Sequence, residues 1–103
     1  MTIELNHTIV HAHDPGAASA FLASILGIEV GARTGPFLPV ALTNDVTLDY
    51  LRVDGPLTSQ HYAFLVDDAT FDAAFARITA GGIPYWADSG RNQPGVLNSM
   101  HGG

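Results

Sequence analysis

The chain has 103 residues, 47% of them hydrophobic, which is the size and apolar content of one globular domain. Its ten acidic residues outnumber four arginines, it has no lysine, and its net charge is −6. This balance argues against a protein that binds nucleic acid or anionic lipid, since both need a basic surface. The absence of cysteine excludes disulfides and thiolate metal ligands.

The N-terminus reads MTIELNH and lacks the basic and apolar regions of a signal peptide. No apolar run has the length of a membrane span. We therefore expect a soluble cytoplasmic protein whose ligand is a small molecule.

An internal duplication organises the chain. A shift of 54 residues produces five identities in one register, and one residue added after the glycine then aligns Ile28 with Ile83. The five pairs are His7 with His61, Asp14 with Asp68, Ala20 with Ala74, Phe21 with Phe75, and Gly27 with Gly81. We expect a single domain of two modules, residues 1–56 and 57–103.

The first module begins with a strand-like run at residues 3 to 12. A helix should follow, because Asp14 is a good N-cap, Pro15 suits the first helical position and Gly27 suits the end. Its predicted apolar stripe consists of Ala18, Phe21, Leu22, Ile25 and Leu26.

Three further strands complete this predicted β-α-β-β-β module. They are expected at residues 28 to 32, 37 to 43 and 46 to 53, with a turn at Asn44-Asp45 between the last two.

The second module repeats only part of this plan. A strand is expected at residues 60 to 66, then a helix capped by Asp67 or Asp68, then Gly81-Gly82 and a strand at 83 to 87. Residues 90 to 95 and 98 to 103 are turn-formers, which indicates an incomplete module. The predicted class is α+β.

Several segments together resemble the vicinal oxygen chelate superfamily, which includes glyoxalase I, extradiol dioxygenases and bleomycin-resistance proteins. The segments are LNHTIV, the Asp14-Pro15 helix start, FLASILGIEV, QHYAFLV and ITAGGIPYWAD, spread over residues 3 to about 100. The resemblance implies an open, curled mixed sheet built from two half-barrels, with a divalent metal in its cavity.

The resemblance also implies a ligand set. Members of this superfamily use a histidine in the first strand of each module and a glutamate in the last strand. His7 and His61 match the two histidines, whereas the glutamate segment, of the kind GVYFxDPxGxxxEI, does not occur in these 103 residues. Two imidazoles and a carboxylate would leave coordination positions open for a substrate with two adjacent oxygens.

Each of these residues also has a structural interpretation. Alternation places His7 with Ile9, and His61 with Leu65, on apolar strand faces, where a histidine is otherwise a hydrogen-bonded core residue. Asp49 either completes the metal site or acts as a base, as an acidic residue near this position does in glyoxalase-like members, or it faces water.

The remaining candidates are substrate contacts. His11 shares the face of His7 and is expected at the mouth of the cavity, whereas His13 is expected to be exposed. Arg52 binds a substrate carboxylate or pairs with surface acids. Three aromatic residues are candidates for the wall of the pocket, although in strands such residues more often belong to the core or to an interface: Tyr50, Tyr62 and Trp86.

Two functions from different classes follow. One is a metalloenzyme, a lyase, isomerase or dioxygenase that uses iron, zinc, nickel or manganese. The other is a metal-free, bleomycin-resistance-like protein that sequesters a ligand. A homodimer is expected in either case, because an incomplete module leaves strand edges unpaired.

Overall fold

The computed structural model describes residues 1–87 and 94–97. The chain divides into two compact units, Met1–Thr58 and Ser59–Gly103, and each is described by itself below. Unit 1 contains the sheet, and unit 2 contains one helix with the segments around it.

Unit 1 is an open mixed sheet with one helix on it, which confirms the predicted α+β class. Its elements are the strand β1 (His7–Ala12), the helix α1 (Pro15–Leu26) and the strands β2 (Phe37–Ala41) and β3 (Thr47–Arg52). The strand order is β1-β3-β2, in which β1 runs parallel to β3 and β2 antiparallel to it. The parallel pair is joined through α1 and β2, since parallel strands need a long crossover.

One face of this sheet packs against α1 and forms the core. The core consists of small and medium apolar side chains together with one tyrosine: Ala12, Ala23, Val40, Leu48 and Tyr50. The residues that α1 buries are Pro15, Ser19 and Ala23, which lie four positions apart and therefore on one line of the helix. The predicted stripe is wrong at Phe21, whose side chain is exposed, because the small residues lie toward the sheet.

The ends of α1 follow the sequence signals. The carboxylate of Asp14 accepts from the Ala17 backbone N–H at 3.0 Å, and Pro15 lies in the first turn. At the other end Gly27 has the left-handed φ of 75°, and the N–H groups of Gly27 and Ile28 both donate to the Ala23 carbonyl. The Ile28 bond is the 6→1 bond of a Schellman end, and the Gly27 bond is the 5→1 bond of a left-handed helix end.

The predicted strand at residues 28 to 32 is not present as a strand. The Gly31 N–H donates to the Pro39 carbonyl at 2.8 Å, so this segment does reach the edge of β2. Pro39 has no N–H and cannot return the bond, so the reciprocal pair of an antiparallel ladder does not form. Beyond this bond, pairing is limited to a bridge between Thr34 and Phe37.

The first strand is shorter than residues 3 to 12. It begins at His7, with Ile3 and Leu5 exposed before it. The reason is its partner: β3 begins at Thr47, directly after the turn that contains Asp45, so the earlier residues have no neighbouring strand. The last two predicted strands of the module are confirmed as β2 and β3, each slightly shorter than expected.

Unit 2 contains the second helix, α2 (Asp68–Ala80). Of the two predicted caps, Asp67 is the N-cap and accepts from the Thr70 backbone N–H at 2.8 Å. Gly82 has a φ of 64°, and the Ile83 N–H donates to the Ile78 carbonyl at 3.0 Å. Two ring contacts order one side of this unit, Phe71 stacked on Phe75 and Phe75 edge-on to Tyr85.

The predicted strand at residues 60 to 66 is wrong, because this segment forms no strand and has no strand partner among residues 1–87 and 94–97. The predicted strand at residues 83 to 87 is reduced to one bridge, between Trp86 and Pro94. The predicted loops at residues 90 to 95 and 98 to 103 lie mostly outside the described residues. Neither helix of the described chain has the length and apolar character needed to cross a membrane.

Candidate functional site

The sheet face turned away from α1, which we call the open face, brings three candidate residues together. Strand pairing sets its side chains in a grid of nine, because directly paired residues point to the same side. The three rows are His7-Thr47-Ala41, Ile9-Asp49-Pro39 and His11-Leu51-Phe37.

Asp49 is at the centre of this grid. Its neighbours across the strands are Ile9 and Pro39, both apolar, and its side chain is half-buried. His7 and His11 are at the two diagonal positions on β1, each about 8 Å from Asp49 between Cα atoms, given the usual strand spacing and rise. One carboxylate is therefore flanked by two imidazoles, with apolar side chains between and around them.

The two histidines differ in their surroundings. The His7 ring lies against the preceding residue, with Nδ1 at 2.8 Å from Asn6 Oδ1. His11 is exposed, and the described residues offer its ring no such bond. His13, predicted to be exposed, is exposed but not free, because its Nε2 lies 2.8 Å from the Gly55 carbonyl and donates to it.

Two candidates do not belong to the open face. Tyr50 follows Asp49 in β3 and so points to the opposite side, where it is buried beneath α1. Arg52 also lies on that side, and its Nε donates to Asp54 Oδ1 at 3.1 Å with both side chains largely exposed. This agrees with the alternative that Arg52 pairs with a surface acid.

Three candidates belong to unit 2. His61 and Tyr62 lie in the segment before α2, and both are exposed. Trp86 is half-buried near the bridge to Pro94.

The chemistry of the open face fits a divalent metal in part. A neutral imidazole and a carboxylate are donors that iron, zinc, nickel and manganese all accept. However, within residues 1–87 and 94–97 no three His, Asp or Glu side chains are close enough together to hold an ion. A third donor would have to join His7 and Asp49 from outside the grid.

Sequence reasoning missed Asn6 and the apolar frame of Asp49. The asparagine carries no motif of its own, and only the duplication offers a signal, since Gln60 precedes His61 as Asn6 precedes His7. The frame depends on which strands pair, and this is not evident from the order of the strands along the chain.

Two solved structures agree closely with this chain over nearly its full length. The oxidase ChaP-H2 is 53% identical with a TM-score of 0.95, and the match covers 100% of this chain and 81% of ChaP-H2. The chain belongs to the family of the ChaP-H oxidases. The oxidase ChaP-H1 is 50% identical with a TM-score of 0.94, over 99% of this chain and 82% of its own. No protein-family model and no curated protein matches the chain.

Proposed function

We propose that this member of the ChaP-H family is an oxidase of the vicinal oxygen chelate type, acting with a divalent metal on a small substrate that has two adjacent oxygen atoms. The observation that carries the proposal is the 53% identity with the oxidase ChaP-H2 across the whole chain. The open face adds a suitable set of donors, because His7 and Asp49 are on one side of one sheet.

The metal ligands that we propose are His7 and Asp49, which share the open face, and His61, whose position relative to these two residues forms no part of the argument. His61 is included because of the duplication and the family resemblance, which place it in the role of His7 in the second module. A metal bound there would act as a Lewis acid toward the substrate oxygens and bring them together with molecular oxygen. Oxidation favours iron or manganese over zinc, since zinc has no redox chemistry.

The other residues of the open face would bind and orient the substrate. His11 is diagonal to Asp49 and exposed, so its ring is free to donate a hydrogen bond to a substrate oxygen. Ile9, Leu51 and Phe37 would contact the apolar body of the substrate and exclude water from the donors. Tyr62 and Trp86 stay candidate substrate contacts on the family resemblance alone, whereas Tyr50 and Arg52 lie on the other side of the sheet and leave the proposal.

The comparisons favour this proposal over the two alternatives, which are lyase or isomerase chemistry and metal-free ligand sequestration. Both relatives are oxidases by name, which favours oxidation over lyase or isomerase chemistry. Neither relative is named as a drug-binding protein, which counts against the metal-free sequestering role. The homodimer and the cytoplasmic location stay predictions.

Oxygen uptake tests the proposal. The purified chain is loaded with ferrous iron and supplied with catechol, whose oxygens are adjacent, or with hydroquinone, whose oxygens are not. We expect uptake with catechol that exceeds uptake with hydroquinone and disappears in His7→Ala and Asp49→Asn. His13→Ala is the matched control and should behave as the native chain, because its ring binds Gly55.

Equal uptake with both compounds, or uptake that survives in His7→Ala, would contradict the proposal.

A further inference from the structure

The side chain of Asn6 lies against the imidazole ring of His7. The carboxamide oxygen Oδ1 lies 2.8 Å from His7 Nδ1. A carboxamide oxygen only accepts hydrogen bonds, so Nδ1 carries the hydrogen and donates it. In a neutral imidazole the other nitrogen, Nε2, then keeps its lone pair, and this is the form in which histidine binds a metal.

The backbone of Asn6 is held as well. Its carbonyl accepts from the Thr47 N–H at 3.0 Å, which extends the β1–β3 ladder by one residue before β1 begins. The carboxamide therefore projects from a fixed point. Because this second bond uses only backbone atoms, a substitution at residue 6 removes the contact with His7 and leaves the ladder in place.

Two comparisons within the chain support a specific role. His11 lies on the same strand and the same face, yet its ring has no corresponding bond within the described residues. In addition, the shift of 54 residues that aligns His7 with His61 also aligns Asn6 with Gln60. A carboxamide residue thus precedes both of the histidines that the proposed function uses.

We infer that Asn6 is a positioning residue that holds His7 in the tautomer with a free Nε2 lone pair, ready for a metal ion. The inference rests on the proposed function for the identity of the ligand, but the hydrogen bond and the tautomer belong to the metal-free chain. They are therefore open to measurement without metal or substrate.

Nitrogen NMR of the imidazole rings tests the inference. The chain is labelled with ¹⁵N-histidine, freed of metal and studied at a pH where its histidines are neutral. We expect His7 to carry its hydrogen on Nδ1 and exposed His11 to carry it on Nε2, the tautomer that a solvated imidazole prefers. In Asn6→Ala the His7 pattern should change to that of His11, whereas Asn6→Asp should retain the native pattern, since a carboxylate also accepts from Nδ1.

Gln60→Ala is the matched control, because it removes the carboxamide beside the other histidine and should leave His7 unchanged. An identical His7 tautomer in the native chain and in Asn6→Ala would overturn the inference. Circular dichroism spectra that coincide for the two proteins would show that the comparison is between folded chains.

Zinc titration separates this inference from the proposed function. We expect Asn6→Ala to bind zinc about tenfold more weakly than the native chain, at the lower end of the usual effect of removing a residue that orients a ligand. A changed tautomer with no zinc binding by the native chain would support the role of Asn6 in holding His7 and overturn the metal function. Zinc binding that is lost in His7→Ala, with an unchanged His7 tautomer in Asn6→Ala, would support the metal function and overturn the role of Asn6.

Discussion

The helices of the two units are built alike, whereas the strand-like segments beside them are not. Helix α1 has 12 residues and α2 has 13, and each begins after an aspartate whose carboxylate accepts from the third helical N–H. In unit 1 the run before the helix forms the strand β1, but the matching run at residues 60 to 66 of unit 2 forms none.

The difference reflects where the hydrogen bonds come from. A helix satisfies its backbone groups within its own segment, and its caps are a few residues away. A strand depends on another strand, so the same alternating pattern has a different outcome with and without a neighbour. β1 has β3 beside it, and the described residues of unit 2 supply no such strand for residues 60 to 66.

The largest difference between the two units should be the stability lost when a leucine side chain is truncated, because one leucine is buried and the other is exposed. Leu48 in β3 is 4% exposed, whereas Leu65 in the segment at residues 60 to 66 of unit 2 is 95% exposed. We expect Leu48→Ala to lower the free energy of unfolding by about 2–4 kcal/mol through the cavity it leaves. The matched change Leu65→Ala should cost less than about 0.5 kcal/mol, and denaturant unfolding followed by circular dichroism measures both.

Similar losses of unfolding free energy in the two variants would contradict this difference between the units, because they would mean that residues 60 to 66 are buried as a strand.

The caps should show that the helices depend on local bonds. Asp14→Ala removes the acceptor for the Ala17 N–H and should destabilise the chain by about 1 kcal/mol. Asp14→Asn keeps an oxygen acceptor and should retain nearly all of the stability. Thermal unfolding of the three proteins measures the difference, and an equal loss in both variants would attribute the effect to charge and not to the cap.

The hairpin between β2 and β3 offers a way to strengthen unit 1 alone. Asp45 has a φ of 66°, in the left-handed region that favours glycine, and its N–H donates to the Leu42 carbonyl in the turn. Asp45→Gly should raise the free energy of unfolding by about 0.5 kcal/mol, the relief of strain less the added freedom of the unfolded chain.

The reverse change is available at Gly35, which has a φ of 56° and open space around it. Gly35→Ala should lower the free energy of unfolding by about 1 kcal/mol. If urea unfolding showed both substitutions to act in the same direction, backbone strain would not be the cause.

Acid should affect the cap of α2. The hydroxyl and the N–H of Thr70 bind the Asp67 carboxylate and hold its pKa below the ordinary value, against a smaller opposing effect of desolvation. Because the folded pKa is the lower one, this cap stabilises the chain fully above the ordinary carboxyl pKa. Its contribution is lost as the pH falls through the lowered value.

We expect a small loss of helical Cα shifts at the start of α2 as the pH falls below the ordinary carboxyl pKa of 3.8. Asp67→Asn should remove this change, since an amide does not titrate there. An unchanged acid response in that variant would show that other carboxyl groups cause it.

Signals that act over a few residues predicted the structure well. Asp14, Pro15 and Gly27 mark the bounds of α1 because caps and left-handed glycines are local requirements. The duplication also holds at the helix ends. The left-handed glycine is Gly27 after α1 and Gly82 after α2, one position later than the shift of 54 predicts, because α2 is one residue longer. The strand at residues 28 to 32 failed for a reason already present in the sequence, namely the missing N–H of Pro39.

The candidate site was only partly predictable. Alternation along β1 predicted that His7 and His11 share a face, and the register confirms it. The place of Asp49 between them depends on the pairing of β1 with β3, two strands separated along the chain by α1 and β2. Alternation also predicts that Tyr50, next to Asp49, points away from it, so both residues were never compatible with one face.

The most direct test of the proposed metal site is the metal content of the purified chain. The protein is isolated without chelators or a histidine tag, and metal per chain is measured by plasma mass spectrometry for the native form, His7→Ala, His61→Ala, Asp49→Asn and the control His13→Ala. We predict close to one divalent ion per chain in the native form and in His13→Ala, and its loss in the other three. A native chain that stays free of metal after incubation with ferrous iron, manganese and zinc would contradict the account.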